Sequence, residues 1–95
     1  MTFGNAFELA KQGYIIARDE WNGKGMFVYY QEGSVVAIRD LRCDAIREWM
    51  NKNSGANTIT ILGHLDMRNA QGRIECGWLA SQVDMFADDW RVLHD

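Results

Sequence analysis

Phe3, Ala6, Phe7 and Ala10 follow the i, i+3, i+4, i+7 spacing of one helical face. Thr2 stands where an N-cap hydroxyl belongs and Gly13 where a left-handed terminating glycine belongs, so a one-sided helix is expected between them. The pattern then turns to β-branched and aromatic runs: YIIAR at 14–18, MFVYY at 26–30 and VVAIR at 35–39. The loop DEWNGKG separates the first two. QEGS separates the second and third, which predicts that those two form a hairpin.

From Asp40 to Lys52 the helical period returns, with Cys43, Ile46 and Met50 on one face, flanked by Ala45 and Trp49, and with Arg42, Arg47 and Glu48 elsewhere. NSGAN closes this second helix, and TITIL at 58–62 reads as a strand. HLDMR and RIECG flank the turn sequence NAQG and predict a second hairpin. Ser81 and Asp84 have capping-box spacing for a short helix over 82–89, and WRVLH ends the pattern as a strand or extended tail. The expected fold is α+β: a small antiparallel sheet built from hairpins, with an N-terminal helix, an inserted second helix and a short C-terminal helix. No repeat, linker or low-complexity segment interrupts it, and residues 1–95 read as a single domain.

Size and charge narrow the function. Ninety-five residues, 47% of them hydrophobic, suit one domain; a chain this short buries only about 60–65% of its unfolded surface, so association with further copies would steady it. A formal charge of −3 with mixed signs lacks the basic stripe that a long nucleic acid requires. No apolar run approaches the roughly 20 residues of a membrane span, and the amphipathic start lacks a signal-peptide pattern. A soluble cytoplasmic chain is expected. Cys43 and Cys76 match no metal or redox spacing and are expected as reduced thiols in the core. Without proline, Gly13, Gly33, Gly55 and Gly72 carry the punctuation.

Catalytic chemistry is thinly represented. His64 and Asp66 alternate onto one strand face, but nothing fixes where Cys76 points. His64 and His94 are too few for a typical zinc site, Asp88 and Asp89 read as a solvated helix end, and NGKG lacks P-loop spacing. The remaining inventory belongs to a binder. Trp21, Trp78 and Phe7 offer rings for stacking on a base; Asn22, Ser81, Gln82 and Asp84 offer donors and acceptors for base edges or ribose hydroxyls; Arg18, Lys24 and Arg68 can neutralise a phosphate or two. The same residues also have plainer readings, as core rings, helix caps and solvated cations.

WNGKGMF at 21–27, LDMRNAQG at 65–72 and GWLASQVDMFADDW at 77–90 together resemble a phage-encoded family, the second Thoeris anti-defence family, over nearly the whole chain. The segment from Arg39 to Asn57 departs from the shorter loop associated with that family. The resemblance implies a homotetrameric sponge that acts in the cytoplasm of the infected bacterial host. It would hold a cyclic ADP-ribose isomer, of the 1''-3' or 1''-2' glycocyclic type, made by a bacterial TIR enzyme, in pockets at subunit interfaces. Some relatives also hold cyclic dinucleotides. No cofactor, no metal and no catalytic step are implied. The rival expectations are an enzyme that hydrolyses such a signal, with Asp84 or Asp66 as base, and a protein-interaction module anchored by exposed tryptophans.

Overall fold

A computed structural model describes residues 1–94. In chain order it contains α1 (Phe3–Lys11), β1 (Ile16–Arg18), a 3-10 turn (Asp19–Trp21), β2 (Phe27–Gln31), β3 (Ser34–Ala37), a second 3-10 turn (Ile38–Asp40), α2 (Asp44–Asn53), β4 (Thr58–Ile61), β5 (His64–Arg68), β6 (Ile74–Glu75), α3 (Gln82–Phe86) and β7 (Trp90–Val92). This is the expected α+β class, with antiparallel strands throughout. Two compact units result: residues 1–31 with the chain from His64 onward, and Glu32–Gly63, which is inserted between β2 and β5.

In the first unit the sheet order is β6-β5-β2-β1-β7. Its backbone is the β2/β5 ladder, which runs in register from Phe27 opposite Arg68 to Gln31 opposite His64. Side-chain alternation sorts this ladder into two faces. Ile16, Val28 and Met67 point to one face and bury against Ala6 and Ala10 of α1, with Trp90 completing the core. Both α1 termini form as anticipated. Thr2 Oγ1 accepts from Asn5 N–H, and the far end is a Schellman arrangement in which Gly13 N–H reaches the Ala10 carbonyl at 2.9 Å and Tyr14 N–H the Leu9 carbonyl at 3.2 Å, with Gly13 at φ +105°.

The second unit is a β3/β4 hairpin, Ser34 opposite Ile61 through Ala37 opposite Thr58, carrying α2. This corrects the expected hairpin between 26–30 and 35–39. The partner of β3 is β4, and β2 pairs with β1 and β5 instead. At Gly33 the chain passes so close to 61–63 that an added Cβ would stand 2.7 Å from the Ile61 carbonyl, an approach suited to glycine beside the Ser34–Ile61 pair. The helix expected from Asp40 begins at Asp44, because 38–40 closes as a 3-10 turn and Arg47 ties the Leu41 carbonyl to the Asp44 carboxylate.

The cysteines are also corrected. Both are free and both are exposed: Cys43 precedes a helix with no buried residue, and Cys76 follows a two-residue edge strand. The NAQG turn forms as predicted. Asn69 Oδ1 accepts from the N–H groups of Gln71 and Arg73, and Gly72 takes φ +79°.

Candidate functional site

All ten residues singled out in the sequence lie in the first unit. The turn after β1 sets the arrangement. Asp19–Trp21 coils tightly, and Asn22 closes it in the left-handed region (φ 53°, ψ 38°), donating its N–H to the Asp19 carbonyl at 2.9 Å. Trp21 thereby turns back onto the core while Asn22 and Lys24 stay exposed.

Three indole rings meet at this point. Trp90 is buried, and Trp21 and Trp78 stand edge-on to it with ring centroids at 5.3 and 6.3 Å and to each other at 6.4 Å. Phe3 abuts Trp90 at 5.2 Å and stacks on Phe7, which extends the cluster along α1. Edge-to-face packing places the positive ring edge on a neighbouring π face. Trp21 and Trp78 remain half-buried, so each has a surface the cluster does not cover.

Beneath the tryptophans lies a charge hub. Arg18, whose side chain is 8% exposed, donates through Nε to Asp89 and through its two terminal nitrogens to Asp84 and Glu20, at 2.8, 2.8 and 2.5 Å. The Asp89 hydrogen bond is the chief cause that raises the Arg18 pKa, and the same bond holds the Asp89 carboxyl below its ordinary value. Asp89 also accepts from Glu20 N–H, and the Asp84 carbonyl accepts from Trp90 Nε1 at 2.8 Å. Ser81 caps α3 by accepting from Asp84 N–H, and Gln82 begins that helix, exposed. α3 ends at Phe86 rather than 89 because the following residues join the hub and β7.

Arg68 is placed differently. One of its terminal nitrogens donates to the Gly25 carbonyl at 2.8 Å, and its guanidinium lies 5.9 Å from the centre of the Phe27 ring. Gly25 (φ +75°) and Gly72 (φ +79°) wall it in: a Cβ at Gly25 would stand 2.4 Å from that nitrogen, and one at Gly72 3.1 Å from the other. Among the described residues neither Arg68 nor Lys24 has a carboxylate partner. Beside the ring under Arg68 runs a largely apolar groove of about 380 Å³, lined in part by Phe27, Tyr29, Tyr30 and Ile74. Burial, with the Asp66 charge opposite, raises the Tyr29 pKa.

The structure thus brings together Arg18, Trp21, Trp78, Ser81 and Asp84 around Trp90, and it joins the 19–25 turn to Arg68 through Gly25. Phe7 joins the tryptophans by way of Phe3, and Gln82 is exposed at the start of α3. Sequence reasoning missed Trp90 and Asp89, which join the rings to the charges, and the two glycines that position Arg68. The ADDW run signalled the first pair, and the closing glycines of NAQG and NGKG the second. Elsewhere in this unit His64 Nε2 lies 3.4 Å from Asp66 Oδ1, and Asp66 accepts from Gly77 N–H. Among the described residues no group of three or more His, Cys, Asp and Glu side chains converges to hold a metal ion, and no helix is long and apolar enough to cross a membrane.

An α+β chain whose site is assembled from half-buried indoles and cations, and whose sequence carries the motifs around them, can be set beside known proteins. A family profile described as the Thoeris anti-defense 2-like domain matches residues 1–93. The chain is also 33% identical over 93 residues to Thoeris anti-defense 2 of Bacillus phage SP01, an alignment that covers 98% of this chain and 94% of the relative. The chain belongs to the Thoeris anti-defense 2-like family. Membership supports a phage anti-defence role, and both matches run through the 39–57 segment.

Proposed function

We propose that this protein binds and sequesters a cyclic ADP-ribose isomer, of the 1''-3' or 1''-2' glycocyclic type, made by a bacterial TIR enzyme, and so blocks Thoeris signalling without cleaving the ligand. The observation that carries this reading is the content of one short turn. Residues 19–25 present Trp21, paired with Trp78, together with Lys24 and the carbonyl that holds Arg68. Half-covered rings suit an adenine face, and two cations without carboxylate partners among the described residues suit a diphosphate carrying two negative charges. Asn22, Ser81 and Gln82, all exposed, are the groups assigned to ribose hydroxyls and base edges. Arg18 and Asp84, bound to one another, act by holding the rings in place.

Self-association completes the reading. Leu79, Val83 and Phe86 are 89%, 67% and 83% exposed, an apolar stripe that a subunit contact would cover. We assign it to a homotetramer with the pocket at a subunit interface, where water is excluded and charge-assisted hydrogen bonds strengthen.

Calorimetric titration of the glycocyclic ADP-ribose isomers tests the assignment. Saturable binding is expected, weakened about tenfold or more in Arg68→Gln, the loss that follows from removing one charge-assisted contact of about 1.5–3 kcal/mol. Binding to neither isomer, or undiminished binding in Arg68→Gln, would refute it. Preference for a cyclic dinucleotide over both isomers would assign the pocket to the other signal class.

A further inference from the structure

The Glu32–Gly63 unit contains a cavity of its own, about 490 Å³, where the end of β3, the 38–40 turn, α2 and the approach to β4 converge. That volume lies within the roughly 300–1,000 Å³ typical of small-molecule sites. Its polar lining comes from separate segments: Arg39 from the 3-10 turn, Asn51 from α2, and Asn57 and Thr58 from the entry to β4. Ala37, Ile38 and Ala56 form the small apolar remainder.

Backbone bonds build this frame without using those polar side chains. Ile38 N–H donates to the Asn57 carbonyl at 2.8 Å, and Ala37 opposite Thr58 is the last pair of the β3/β4 ladder. Ser54 Oγ accepts from Ala56 N–H, and the Asn53 amide donates to the Trp49 carbonyl. The neighbouring Arg47 is held by Leu41 and Asp44. In contrast, the side chains of Arg39, Asn51, Asn57 and Thr58 are exposed, and among the described residues the side-chain hydrogen bonds and ion pairs of this unit engage none of them.

The donor count decides the ligand class. The lining side chains carry five guanidinium N–H groups, two from each amide and one hydroxyl against the two amide oxygens and that hydroxyl as acceptors, so donors outnumber acceptors, and no acidic side chain lines the cavity. Its complement is an anion rich in acceptors. A phosphate group meets that description, with two oxygens on the guanidinium fork and the amides and Thr58 on the remaining oxygen and neighbouring hydroxyls. We infer that this cavity is a binding site for a small phosphate ester, recognised through Arg39. It uses none of the residues assigned to the signal-binding site.

Amide-detected NMR of the whole protein tests this with ribose 5-phosphate, inorganic phosphate and ribose as probes. Ribose 5-phosphate should produce saturable shifts at the Asn51 and Asn57 side-chain amides and at Thr58, with inorganic phosphate doing the same at higher concentration and ribose producing none. Arg39→Gln should weaken ribose 5-phosphate about tenfold, while the thermal midpoint stays unchanged because the Arg39 side chain is exposed and bonds to none of the described residues. Absent saturation at these residues, equal response to ribose and ribose 5-phosphate, or an unaltered affinity in Arg39→Gln would overturn the inference.

Discussion

Trp21 and Trp78 sit beside glycines and short polar residues, where neither a helical nor a strand period would bury them, yet both rings rest against the buried Trp90. Their position separates two energetic roles. Removing a fully buried ring costs about 3–5 kcal/mol, and Trp90→Ala additionally strips the Asp84 carbonyl of its donor. In a domain held by about 5–15 kcal/mol, that variant should be largely unfolded. Trp21 is half-covered, so Trp21→Ala should cost about 1–3 kcal/mol, lower the thermal midpoint by about 5–15 °C and leave a folded protein. Its affinity for the cyclic nucleotide should fall about tenfold or more. Thermal melts paired with titration at a temperature where both proteins are folded check this. Full affinity in folded Trp21→Ala would make the ring a structural one only. The rings were legible as unusual residues, but their packing was not, because Trp90 lies in a strand that pairs with β1 from the far end of the chain.

At the level of elements, Arg18 joins β1 to the 19–21 turn, to α3 and to the approach to β7 through three carboxylates. Asp89 titrates near 3.9 in an unfolded chain and lower in the fold, because Arg18 donates to its ionised form. The stabilisation it provides is therefore complete above the unfolded value and is lost as pH falls through the folded one. Thermal midpoints recorded from pH 7 to pH 3 should drop below about pH 4 more steeply for the native protein than for Asp89→Asn. Parallel profiles would show that the hub contributes nothing to acid stability. Helix caps, the NAQG hairpin and the class of the fold were readable locally, since Thr2, Ser81, Asn69 and Gly13 act within a few residues of themselves. The 26–39 hairpin was misread because QEGS is an adequate turn, and only the five-pair ladder between β2 and the distant β5 outcompetes it. The carboxylate partners of Arg18 were hidden for the same reason: Asp84 and Asp89 are 66 and 71 residues away.

For the whole molecule, the proposed homotetramer rests on the exposed apolar side chains of Leu79, Val83 and Phe86, which a subunit contact would cover. Light scattering should give about four times the chain mass of 10.9 kDa, and Val83→Glu combined with Phe86→Glu should reduce the assembly while leaving the subunit folded. A native protein that scatters as a monomer at micromolar concentration would contradict the tetramer. The capping spacing of Ser81 and Asp84 announced a short helix without saying which way its apolar side chains point; α3 has no buried residue, so they face outward.

The central claim is capture without chemistry. Purified protein is incubated with the glycocyclic ADP-ribose isomer, freed of unbound ligand, denatured by heat, and the released material identified by chromatography and mass. The isomer should return intact and close to stoichiometric with the pockets. Release of a hydrolysed product would make the protein an enzyme, and retention of no nucleotide would leave its tryptophans to a protein partner; either result would rule out a sponge.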